Sequence, residues 1–282
     1  MAEADARVNR KTGELARHVS LTAADLDALR EAVRRLEHVS LAARLNTLVG
    51  KQVSLAARML PASAGKAVAA ATQAALRVGL KVALLNFENR PQEASRMLHK
   101  ALAAASGAVG GAFGAATLAF ELPVSTTIML RSIADIARSE GEDLRQPDAA
   151  LACLQVLALG GVSDETLEGG YFALRGLMTK SVADAATYIA QKGVADQTAP
   201  ALVRFIADIA ARFGVVVGEK VAAQAVPVIG AVGGAVVNYA FVDHFQSLAR
   251  GHFIVRRLER IYGPPLVRME YLRLRAEAAA PT

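Results

Sequence analysis

The stretch Lys220-Val-Ala-Ala-Gln224-Ala-Val-Pro227-Val-Ile-Gly230-Ala-Val-Gly-Gly234-Ala-Val-Val-Asn238-Tyr-Ala-Phe-Val242 carries no charge between Lys220 and Asp243. It is made of alanine, valine and glycine, and Gly230 and Gly234 stand four apart. On a helix that spacing leaves a flat strip along which a second helix backbone can approach closely. Alanine favours helix, and nothing in the stretch alternates as a half-buried strand would. The stretch therefore reads as helix, bent at Pro227.

A second uncharged stretch runs from Ala101 to Phe120, between Lys100 and Glu121. It repeats the pattern with Gly107 and Gly111, and Gly110 and Gly114. Its strong lipid-formers are Leu102, Val109, Phe113, Leu118 and Phe120. At roughly −0.3 to −0.6 kcal/mol each they supply about −2 kcal/mol, against four glycines and a serine. Burial within a helical fold is the better reading than a membrane span. The two stretches are expected to lie against each other as a central, closely packed pair.

Outward from this pair, helical spacing and breakers divide the whole chain. Thr22 followed by Asp25 marks a helix start, and Leu26, Leu29, Val33, Leu36 and Val39 continue at helical spacing toward Val49. Pro61 interrupts; Lys66 to Leu85 is the next apolar-periodic segment, and residues 86–91 read as a loop. Leu122-Pro123 breaks or kinks the helix leaving the first stretch. Further helices are expected from there to Glu140, over Ala149–Leu159, after a cap at Ser163 or Asp164, over Tyr171–Gln191, from Pro200, and from Val228 to Tyr262. Gly263-Pro264-Pro265 closes the last of these, leaving a short helix and a frayed end. The fold class is all-α. Residues 1–20 read as a flexible leader, 21–60 as an N-terminal helical segment, 61–265 as a multi-helix domain and 266–282 as a tail. Arg131-Ser-Ile-Ala-Asp135-Ile-Ala is echoed by Arg204-Phe-Ile-Ala-Asp208-Ile-Ala. Shared amphipathic patterning explains this better than duplication.

Composition narrows the function. Of 282 residues 53% are hydrophobic and only 5% aromatic, with no tryptophan and a mean hydropathy of +0.30. The net charge is +6 and the pI about 9.7. Basic residues are not interleaved with aromatics, so a base-stacking surface is not indicated and no nucleic-acid partner is expected. Arginines gather toward the C-terminus, where Arg250, Arg256, Arg257 and Arg260 are candidate contacts to an anionic surface. The single cysteine, Cys153, sits among leucines and alanine, as a buried inert thiol does. His18, His38, His99, His244 and His252 are scattered, and the last pair is eight residues apart, too far for one ion. No phosphate-binding loop, nucleophile elbow or dinucleotide fingerprint occurs, so neither metal nor cofactor is expected. The first residues are polar and lack an apolar signal region, which suggests a cytoplasmic protein, peripheral at the inner membrane.

The informative polar residues border the apolar stretches. Glu121 precedes Leu122-Pro123, Lys220 and Gln224 share a helix face, and Asn238 lies mid-stretch. Buried, each needs a partner, because an unpaired amide or charge costs several kcal/mol. As polar glue, Lys220 would meet Glu121 and the amides would satisfy backbone freed at the prolines. As a pocket, the same four residues would serve a hydrolase-type enzyme.

These residues also carry a resemblance. The run Lys220-x-x-x-Gln224-x-x-Pro227-x-x-Gly230 followed by Asn238 resembles the EcsC family. So do Gly110-Gly111-Ala-Phe-Gly114, Glu121-Leu122-Pro123, Gly170-Tyr171-Phe172 and His252-Phe253. The resembling stretches span roughly residues 65–263 and leave the N-terminal 60 outside. The resemblance implies a helical bacterial protein without established catalytic residues. The family is named for a gene beside those of an ABC-type transporter that affects secretion in some bacteria. With the basic C-terminal residues, the expected partner is an anionic membrane surface or a membrane transporter complex. The expected function is that of a non-catalytic, membrane-proximal helical protein.

Overall fold

The computed structural model describes residues 20–37, 41, 44–45, 62–85, 118–161, 170–193, 198–224 and 230–280. The expected leader, the 86–91 loop, most of the first glycine stretch, the cap at Ser163 or Asp164, and Pro227 lie outside the described residues. So the expected pairing of the two glycine stretches falls outside them too. Among the described residues there are eight helices and no strand: α1 (Ala23–Glu37), α2 (Ala62–Leu85), α3 (Leu118–Ser139), α4 (Pro147–Leu159), α5 (Gly170–Lys192), α6 (Pro200–Gln224), α7 (Gly230–Tyr262) and α8 (Pro264–Ala279).

The start of α1 follows from two side chains. The Thr22 hydroxyl accepts from the Asp25 backbone N–H at 3.1 Å and donates to the Asp25 carboxylate at 2.9 Å. This closes an otherwise open helix end. α3 runs unbroken through Pro123, where a break or kink is expected from sequence. Proline removes one rung of the ladder there, and the neighbouring turns hold. The two echoed segments both bury their isoleucines, Ile133 and Ile136 in α3, Ile206 and Ile209 in α6. Their polar partners differ: Asp135 meets Arg138, and Arg204 meets Asp184.

The centre of the molecule is α4. Pro147 occupies its first turn, and every residue from Ala149 to Leu159 is buried. A helix apolar on all sides must be surrounded, and α4 packs against α2, α3, α5, α6 and α7. Cys153 lies inside this helix with no exposed surface, and burial pushes its thiol above the usual range. α2 lies along α3, α6 along α2 and α5, and α7 runs the length of the bundle beside α1 and α3.

Two features bear on the expected division of the chain. α1 packs along α7, with Leu29, Ala32 and Val33 buried, so the N-terminal helix is part of the core. Beyond residue 265, where a short helix and a frayed end are expected, lies helix α8. Gly263, at a φ of 84°, turns the chain so that α8 folds back onto α7 and α1, burying Val267, Tyr271 and Leu274. The left-handed φ at that turn suits glycine alone.

Where α1 meets α7, Gly251 permits the approach. A methyl group added there would lie 2.7 Å from Leu36 Cγ and 3.2 Å from the carbonyl oxygen of Ala32. Gly251→Ala is expected to cost about 1–3 kcal/mol by overpacking. Gly214→Ala in α6, where nothing lies within 4 Å of the added methyl, is expected to stabilise by roughly 0.5–1 kcal/mol. Urea denaturation of both variants checks the contrast.

Candidate functional site

Lys220 lies in the last turns of α6, Glu121 in the first described turn of α3, and Phe241 in the first half of α7. The fold brings them together. Lys220 Nζ donates to Glu121 Oε1 at 2.8 Å and sits 4.9 Å from the centre of the Phe241 ring. Lys220 has no exposed surface and the Glu121 side chain only 6%. Burial holds the Lys220 ammonium below its ordinary pKa, and the Glu121 charge and hydrogen bond oppose that shift. Phe241 adds a ring face, which attracts a desolvated cation. Phe213 and Phe245 pack edge-on beside one another at 5.6 Å and carry the cluster toward α4.

The two amides of the sequence-derived set take different places. Asn238 is fully buried within α7. Gln224 is half-buried one turn beyond Lys220, and its Nε2 has no partner among the described residues. The charged pair is closed, so a substrate cannot reach either charged atom without separating α3 from α6.

Three of the four candidate arginines, Arg256, Arg257 and Arg260, pair with carboxylates. Arg256 donates to Glu142 at 2.8 Å and to Asp148 at 2.8 Å. Burial works against its charge, and these two carboxylates more than restore it. Arg257 meets Glu140 at 2.9 Å and Asp25 at 3.2 Å. Arg260 reaches Glu142 and, at 2.6 Å, the carbonyl of Glu140. Arg250 is half-buried and has partners of its own. Most of this basic charge therefore ties α7 to the α3–α4 turn and to the start of α1. The Tyr262 hydroxyl joins at 2.7 Å from Asp25, and that hydrogen bond leads the causes holding the Asp25 carboxyl below its usual range.

A third cluster escaped sequence reasoning. The Tyr171 hydroxyl lies 2.8 Å from His252 Nδ1, and Arg175 Nη1 donates to the same hydroxyl at 3.5 Å. Arg175 grips Glu259 with two bonds, at 2.8 and 2.7 Å. Burial pushes the Tyr171 phenol up to about 12, so it stays protonated and donates to His252. Burial, with Arg175 and Arg256 nearby, holds His252 neutral well below the ordinary histidine range. Glu37 completes the cluster, accepting from the Tyr271 hydroxyl at 2.8 Å and the Tyr171 backbone N–H at 3.2 Å, with Arg275 at 3.2 Å. His252 thus bonds to a phenol, and among the described residues no three ligating side chains gather for a metal. The signal for this cluster was the run of aromatic and charged residues on α5 and α7. Their pairing spans some eighty residues (Arg175 to Glu259 is 84) and leaves no local pattern.

A family model described as the EcsC protein family matches residues 23–258. No curated protein and no solved structure matches the chain significantly. The match starts at the first residue of α1, which corrects the narrower span implied by the resembling stretches. The reason is structural: α1 packs along α7 and is part of the same core.

Breaking the buried pair from one side leaves a charge without a partner. Lys220→Met or Glu121→Gln is expected to cost about 3–5 kcal/mol, while Lys220→Met with Glu121→Leu recovers most of that loss. Thermal and urea denaturation of the two single variants and the double variant measure the difference. A second expectation concerns acid. Burial, helped by the Arg44 charge, lowers His244 to about 4. In the unfolded chain His244 takes up a proton near pH 6.5, and in the folded chain only near 4. Between those values the unfolded state binds more protons, so stability falls as pH falls through that window. The loss from pH 7.5 to pH 5 is about 2 kcal/mol for this histidine alone. His244→Asn should flatten that slope in urea titrations at the two pH values.

Proposed function

The chain belongs to the EcsC family, and on that premise we propose that it is a non-catalytic helical protein working at the cytoplasmic face of a membrane. It rests on lipid, or on a membrane transport complex, without crossing the bilayer. One observation carries the reading. At the level of the Lys220–Glu121 pair the bundle presents apolar side chains: Val124 is 51% exposed, Val215 54%, Val236 39% and Tyr239 45%. Along their helix axes Val124 lies about 4.5 Å from Glu121 and Val215 about 7.5 Å from Lys220, while Val236 and Tyr239 lie within about 8 Å of Phe241.

Glu121 is the only charged residue α3 carries before Arg131, and α7 carries none before Asp243. The one carboxylate that these two helices bring to this level is thus buried against a lysine. That end of the molecule suits a low-dielectric neighbour. Tyr239 adds an apolar ring with a polar tip, the kind of side chain that settles at a membrane interface. Among the described residues no helix is long and apolar enough to cross a membrane. The inward pairing of Arg256, Arg257 and Arg260 leaves the apolar end, more than the arginines, to make the contact. The net charge of +6 adds a general attraction to anionic lipid.

The closed Lys220–Glu121 pair supports the non-catalytic reading over a hydrolase-type pocket. A catalytic lysine must reach its substrate, and this one is covered on every side.

Flotation of the purified protein with phosphatidylglycerol-containing vesicles tests the proposal. Association should persist in part at 0.5 M salt, where surface electrostatics are largely screened. Val124→Asp with Tyr239→Asp should lower it by at least about tenfold, as losing two inserted apolar side chains implies. Absence of vesicle association at low salt overturns the lipid-facing reading.

A further inference from the structure

A groove of about 710 Å³ opens between α5 and α8, with the end of α7 as its floor. α5 contributes Phe172, Gly176 and Thr179, and α8 contributes Pro265, Met269 and Leu272. On each helix these are spaced at about one turn, so they form one face. Met269 is 57% exposed and Leu272 42%, on a helix otherwise anchored by buried Val267, Tyr271 and Leu274. The Arg175–Glu259 pair lies in the floor and is mutually neutralised by its two hydrogen bonds.

The rim is different. Arg268 leans across from α8 with its guanidinium 5.8 Å from the Phe172 ring centre, and it meets no carboxylate among the described residues. The groove thus has largely apolar walls, a paired charge in its floor, and at its edge one positive charge that meets no carboxylate among the described residues. It runs for about two helical turns, roughly 10 Å, on each wall. It is a broad, open cleft, and a ligand that needs most of its surface enclosed would be poorly held.

We propose that this groove receives an amphipathic helix from a partner protein. That helix lays two turns of apolar side chains between α5 and α8 and sets an acidic residue against Arg268. Apolar anchors in the groove supply affinity, and the acidic flank supplies orientation. One wall of the site, α8, begins at Pro264, beyond the residues that match the family at 23–258. The partner is therefore read by an element outside the matched region.

A display library of 14-residue helices tests this, with fixed leucines at helical spacing and flanks varied among Glu, Lys and Ser. Against the full-length protein, acidic-flanked helices should bind about fivefold tighter than lysine-flanked ones, the size expected for a rim charge. Arg268→Glu should reverse that preference. Met269→Lys, at an exposed position, should weaken all binding by at least about tenfold. Both variants should keep the wild-type melting temperature and vesicle association, which separates this site from the apolar end. Three results would overturn the proposal. One is no enrichment over the Met269→Lys protein. Another is a dimer by light scattering that Met269→Lys dissolves, since a second copy would then fill the groove. The third is loss of vesicle binding in the same variant, since lipid would then fill it.

Discussion

A lysine ammonium with no exposed surface sets the terms for this fold. Taking Lys220 out of water is unfavourable by several kcal/mol unless an anion meets it, and Glu121 does so at 2.8 Å. The pair joins α6 to α3, and Phe241 of α7 closes the lysine from above. Three helices from distant parts of the chain are thereby fixed in relative height, since the bond tolerates little slippage. Apolar packing alone would be less selective: alanine- and valine-rich faces fit one another in several registers, and a buried charge fits in one. The arrangement also takes the Lys220 and Glu121 charges out of the surface at that level, where Val124, Val215, Val236 and Tyr239 are exposed.

Around this pair the packing follows volume. α4 can sit at the centre because its side chains are alanine, leucine, valine and one cysteine, with Gln155 as the single buried amide. Glycine then decides how near the outer helices come. Gly161 faces the backbone of Arg212, whose carbonyl oxygen lies 2.4 Å from where a methyl group would be. Gly251 admits α1 to α7. Gly161 and Gly251 are thus single points of close contact, outside the repeated four-residue spacing.

The sequence was legible where a local rule decides the outcome. Thr22 with Asp25 announces the start of α1, Pro147 and Pro200 the starts of α4 and α6, and Gly263-Pro264 the end of α7. The partnership of Lys220 with Glu121 was also readable, because two lone charges bordering uncharged stretches have few other choices. The pairing of the arginines was not readable, for a physical reason. Counting charge along the chain shows seven arginines against three glutamates after residue 249. The carboxylates that meet Arg256 and Arg257, namely Asp25, Glu140, Glu142 and Asp148, lie more than a hundred residues upstream. The Tyr171–His252 cluster was hidden likewise. Pro123 shows the limit of such a rule, since α3 continues past it as helix.

The length of α7 has a further consequence. The helix runs from the apolar end, near Phe241, to the groove floor at Glu259, and these residues are 18 positions apart. At about 1.5 Å per residue that is a rise of roughly 27 Å. A lipid headgroup layer touching Val124 and Tyr239 would end well short of Arg268. Were the apolar end to rest on lipid as proposed, α7 would act as a strut, keeping anything seated between α5 and α8 away from that surface.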